Sequence, residues 1–168
     1  MANLRQMEPN EVEVGGRMFY IRPFPAFKAA NLTGELANVL APVIASILPL
    51  AGDGEENQDI DIMDIDLSSP EVINGIGHAF DGISGDKTEK LLRQLLLSGK
   101  NVAFKDDEGE GQPLTEDWAN EIFCENVQDM FVLAFHVIRM NFKGFFKKSV
   151  NRFGNSSGNS KTTERAIL

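Results

Sequence analysis

The chain has 168 residues with 16 Lys+Arg against 25 Asp+Glu, one cysteine and two histidines, a length that suits one domain around one core. The lone Cys124 excludes an internal disulfide, and with His78 and His136 it falls short of an ordinary structural zinc site, so no metal or other cofactor is expected. Residues 1–138 carry 9 basic against 24 acidic side chains and residues 139–168 carry 7 against 1; an acidic body with a basic tail and no base-reading module argues against nucleic-acid binding.

No basic start followed by an apolar run and a small-residue cleavage site is present, so secretion is not expected. Leu36 to Leu50 and Met130 to Ile138, the longest apolar helix candidates, are shorter than the ~20 residues of a membrane span. The reading is a protein of a reducing cytoplasm without a membrane partner.

After residues 1–10, expected to be flexible, Glu11 to Val14 and Arg17 to Arg22 alternate around Gly15-Gly16, which tolerate positive φ; this predicts a β-hairpin. Pro23 and Pro25 stop the second strand. Ala26 to Leu48 then places Phe27, Ala30, Leu36, Val39, Leu40, Val43, Ile44, Ile47 and Leu48 at helical spacings, with Gly34 and Pro42 predicting a kink or two consecutive helices. Residues 51–68 are acidic without an apolar stripe and read as a mobile loop.

Ser69 before Pro70 starts a short helix to about Phe80, since proline at the first helical position lacks an amide that would be unpaired anyway. Asp86 and Glu89 form an acidic capping pattern for a helix through Leu97 that buries Leu91, Leu92, Leu95 and Leu96, with Gly99 ending it. Asn101 to Phe104 is a short strand and Lys105 to Gln112 a Gly-rich acidic turn. Thr115 caps a long helix to about Val150, with Glu116 and Asp117 against its positive end. Its apolar stripe, at 118, 122, 123, 127, 130, 131, 134, 135, 138, 142 and 145, is wider than a surface helix requires. Residues 151–168, rich in Asn, Ser, Gly and Thr, read as a disordered polar and basic tail. The fold class is α+β: a mainly helical single domain over residues 11–150 with an N-terminal β-hairpin and a short second strand pair.

No catalytic constellation emerges. Gly82 to Thr88 lacks the glycine spacing of a phosphate-binding loop, and Asp86 would oppose a phosphate. Asp59, Asp61, Asp64 and Asp66 fail the calcium-loop pattern, whose fifth and sixth positions fall on Met63 and Asp64. Cys124 and His136, twelve residues apart on one expected helix, would stand roughly 18 Å apart and form no dyad; the residues read as a small packed thiol and a hydrogen-bonded core histidine. An enzyme is not expected. Aromatic anchors flanked by cations are common interface chemistry, which makes Phe131, Phe135, Phe142, Phe145, Phe146, Lys147 and Lys148 the candidate partner-binding residues.

Two segments together, Phe19-Tyr20-Ile21-Arg22-Pro23-Phe24 leading into Phe27 to Leu32, and Leu114-Thr115 through Phe123, Asn126, Met130-Phe131, Val137-Ile138 and Asn141-Phe142 to Gly144-Phe145-Phe146, resemble tail assembly chaperones of long-tailed bacteriophages of Gram-positive hosts. The likeness spans most of residues 11–148. It implies a helper in the host cytoplasm, absent from the mature virion, that coats and solubilises the tape-measure protein before the tail tube polymerises. It further implies contact with the tail tube protein through a frameshifted longer form, and no catalytic residues; self-association is a separate expectation. The alternatives are a tail completion or head-to-tail connector protein of the virion, and a regulatory module docking a host protein through residues 151–168.

Overall fold

The computed structural model describes residues 8–47 and 65–143, the side chains of 38–47 apart. Strand β1 (Asn10–Val14) pairs antiparallel with β2 (Arg17–Ile21), placing Val12 opposite Phe19 and Val14 opposite Arg17. Gly15 and Gly16 turn the chain at φ +59° and +76°, values that match the right-handed twist of a two-residue hairpin and strain any residue with a Cβ. The second expected strand pair, β3 (Val102–Lys105) and β4 (Gly111–Pro113), joins the same sheet: β2 pairs antiparallel with β3, giving the order β1-β2-β3-β4. Val14, Phe19, Ile21, Val102 and Phe104 form its buried face. Asp106 shapes the β3–β4 turn by accepting from the amides of Glu108 (3.1 Å) and Glu110 (2.7 Å) and from Gln112 Nε2 (3.1 Å). These bonds hold its carboxyl below the usual range, the Glu110 amide contributing most.

Helix α1 (Ala26–Ile47) runs as one helix through Gly34 and Pro42, so the expected alternative of two consecutive helices is not what forms. Phe27, one of the apolar residues at helical spacing, is 93% exposed; Leu32 and Leu36 make the contact with the core. Residues 48–64, most of the acidic segment read as a loop, lie outside the described residues. Its end is anchored: Ile65 and Leu67 are buried, and Asp66 accepts from the Ser68 amide and hydroxyl. Helix α2 (Pro70–Asp81) starts as expected, with the Ser69 hydroxyl accepting from the Val72 amide at 3.3 Å. Helix α3 (Gly85–Leu96) buries Leu91, Leu92, Leu95 and Leu96 as expected. Its N-cap is Ser84, and Asp86 lies inside the first turn, where its charge complements the helix dipole. The left-handed residue after α3 is Lys100 (φ 47°); Gly99 is required for space, because a Cβ there would meet Asn101 Oδ1 at 2.8 Å and Lys28 Nζ at 2.9 Å.

The long helix expected from Thr115 is two helices, α4 (Glu116–Phe123) and α5 (Val127–Asn141). Asn126 leaves the helical path at φ −143°, ψ 75°, and its amide group donates to Asp129 Oδ2 at 2.8 Å. Asparagine favours helix starts over interiors because its side chain competes for local hydrogen bonds, and that preference breaks the run here. α5 packs against α2, α3, α4 and β1, and Val132, Leu133, Ala134, Phe135, Val137 and Ile138 are buried. The width of its stripe is therefore largely consumed inside the monomer. At its C-terminal end Asn141 Oδ1 accepts from the Phe24 amide at 2.7 Å, and its Nδ2 donates to the Val137 carbonyl at 2.8 Å. This ties the entry to α1 onto α5.

Gly15 also faces the start of α5, where a Cβ would collide with the Asp129 carboxylate, whereas a Cβ on Gly16 meets nothing within 4 Å. Both alanine substitutions bear the cost of positive φ, about 1–2 kcal/mol. Gly15→Ala is expected to lose roughly 1 kcal/mol more in urea titrations, and Asp129→Ala to remove most of that excess; equal losses at the two glycines would show that the turn does not press on α5.

Candidate functional site

An open groove of about 590 Å³ runs where the end of α2, one face of α3, α4 and the first turns of α5 converge. Helix α3 supplies two rows at four-residue spacing, Gly85-Glu89-Arg93 and Thr88-Leu92-Leu96, which share one face of the helix. The opposite wall is Val127, Met130 and Phe131 of α5, with Ala119 and Asn120 of α4 beside them. Phe80 of α2 stacks on Phe131, ring centroids 4.6 Å apart and planes 8° from parallel, and Ile83 closes that end. Leu92, Leu96 and Phe80 are nearly buried, Met130 and Phe131 half-buried, and Val127 48% exposed. A mostly apolar concavity of this size accommodates a few side chains of a partner.

Charge sits at the rim. Arg93 donates to Glu89 Oε1 at 2.8 Å and to Glu116 Oε1 at 2.7 Å, cross-linking α3 to α4. That fork holds the Glu116 carboxyl below its ordinary range, chiefly through the hydrogen bond from Arg93. Asp81, paired with His78 at 3.3 Å, is the third rim carboxylate. Thr88 lines the groove with its hydroxyl buried and without a hydrogen-bond partner.

Among the residues expected to bind a partner, Phe131 lines this groove. Phe135 (1% exposed) and Phe142 (5%) belong to the core, because the helices and strand around α5 cover the side they occupy. Phe145, Phe146, Lys147, Lys148 and the tail 151–168 lie outside the described residues. The expectation of a packed thiol fails: Cys124 is exposed at the end of α4, its Sγ donating to the Glu121 carbonyl at 3.3 Å. Among the described residues no His/Cys/Asp/Glu group is arranged to hold a metal ion, and no helix is long and apolar enough to cross a membrane.

His136 lies on the far half of α5. Burial first, and the Arg139 charge second, push its imidazole down to about 4. Arg139 Nη2 stands 3.4 Å from Nδ1; a guanidinium only donates, so Nδ1 carries the lone pair and the ring is neutral with its proton on Nε2.

The comparison with known families decides the class. A family model described as phage tail assembly chaperone protein, TAC, matches residues 15–154. The chain belongs to this family. No curated protein and no solved structure matches it. Tail assembly chaperones are a non-catalytic kind of protein, and the family implies binding to phage tail proteins.

Two outcomes follow. As pH falls, the unfolded histidine binds its proton near 6.5 while the folded one resists to about 4, so His136 leaves stability untouched above ~6.5 and lowers it between these values, by on the order of 2–3 kcal/mol in all. His136→Gln should flatten that part of the profile of denaturation midpoint against pH; identical profiles would refute the buried neutral ring. Thr88→Val removes an unpartnered hydroxyl at near-constant shape and is expected to raise stability by about 1 kcal/mol.

Proposed function

We propose that this tail assembly chaperone binds the phage tape-measure protein in the host cytoplasm, keeps it in solution until the tail tube polymerises around it, and is left out of the finished particle. The observation that carries the reading is the open apolar groove between α2, α3, α4 and α5, on a chain whose other large apolar side chains are mostly buried in the described residues. Concavities of this kind receive one face of an amphipathic helix, and a long helical client without its tube exposes many such faces. Masking them prevents aggregation, while the net negative charge of the chaperone keeps the complex dispersed.

The test is co-expression with the tape-measure protein. The expected result is a soluble, co-purifying complex, and purified virions without the chain. Val127 stands half-exposed in the first turn of α5 at the groove wall; Val127→Gln keeps helix propensity and is expected to weaken client binding about tenfold, the loss of roughly one buried aliphatic contact. No gain in client solubility and no co-purification with the wild-type chain would sink the reading.

A further inference from the structure

We propose that the groove selects its client by charge: it takes a helical face whose apolar stripe is bordered by lysine or arginine, in preference to one bordered by acids. The inference rests on the docking reading above and adds what the docked segment must carry. Three carboxylates, Asp81, Glu89 and Glu116, stand at the rim against one guanidinium, Arg93. That guanidinium is already engaged by two of the three, each through its Oε1, so its charge is offset before a client arrives. A carboxylate has lone pairs for several donors, and both glutamates keep acceptor capacity beside the apolar floor. Lys90, the other cation in the middle of α3, is not at the groove; it pairs with Glu35 of α1 at 3.2 Å.

A client helix lying over Leu92, Val127 and Phe131 would bring its flanking side chains to a rim that carries Asp81, Glu89 and Glu116. Lysine and arginine suit this position twice over, since their aliphatic stems extend the apolar contact while the charged head reaches the rim. An acidic flank meets three carboxylates against a single guanidinium that two of them already pair. Because the rim is exposed to solvent, each ion pair adds little, and two or three together amount to about a 5–10-fold preference. The preference is therefore a filter among apolar segments and leaves the attraction itself to the floor of the groove.

The test uses three synthetic helical peptides with one apolar stripe at i, i+3, i+4 and i+7, flanked by Lys, by Gln or by Glu, titrated against the full chain by fluorescence anisotropy. The Lys-flanked peptide is expected to bind about 5–10-fold tighter than the Glu-flanked one at low salt, the gap closing near 1 M salt as screening shortens to about 3 Å. General attraction by an acidic protein would give the same order, so two variants of equal charge change separate the causes. Asp81→Lys, at the exposed end of α2 where a cation suits the helix dipole, should remove at least half of the preference. Glu13→Lys, on exposed β1 outside the groove, should leave it intact. Equal binding of the peptides, a Glu preference, or equal effects of the two variants would overturn charge selection alone. Failure of all three peptides to bind would overturn the docking groove itself.

Discussion

Six of the seven residues from Val132 to Ile138 are almost wholly excluded from solvent, and a helix covered on so many sides must be walled in by separate elements. Each of its larger side chains contributes about 1.5–3 kcal/mol when removed from water, and that gain is available only if α2, α3, α4 and the hairpin all reach α5. The rest of the architecture follows from the requirement. The sheet presents Phe19 to α4, stacked 5.9 Å from Phe123, and α2 presents Phe80 to Phe131 of α5. Asn141 ties the entrance to α1 onto the end of the same helix.

The same requirement explains why the two halves of the final helical region serve different ends. The break at Asn126 frees α4 to turn away, and its Trp118 packs on Phe104 of β3, ring centroids 5.2 Å apart. The first turns of α5 are thereby left with neighbours on some sides only. Val127, Met130 and Phe131 lie in that stretch, and they line the groove. A continuous helix would have kept the residues of α4 in line with α5 and left no concavity between them. The groove is a consequence of the turn at Cys124 to Asn126.

Local chemistry was legible where one or two residues settle a conformation by themselves. Gly15-Gly16 announced the hairpin, Ser69-Pro70 and Thr115 the starts of α2 and α4, and the four leucines of α3 its buried face. Asn126 with Asp129 three residues on is also a readable helix start, but the apolar stripe passes through it unbroken, and periodicity outweighed the capping pattern. What stayed hidden is tertiary. Nothing in the spacing of Phe131, Phe135 and Phe142 says which ring faces solvent, because that depends on where α2, α3 and the hairpin dock. The groove draws on four elements, and its trace in the sequence was the surplus width of the stripe that carries Val127, Met130 and Phe131.

Weakness at each site is a requirement of the proposed role. A client helix that lays about three side chains into this concavity gains several kcal/mol from burial, most of which is offset by the loss of translational freedom and the ordering of the segment. The net attraction of one copy is then modest, and a rim of exposed charges adds selectivity more than strength. Many copies along one long polypeptide can still cover it if neighbouring contacts act together. Each copy can leave singly when a growing tube competes for the same faces, since displacement must overcome only one shallow contact at a time. A deep, fully enclosed pocket would bind the client more firmly and would have to be unfolded or driven open to release it; a half-open trough along the first turns of α5 would let the client go without disturbing the buried second half of that helix.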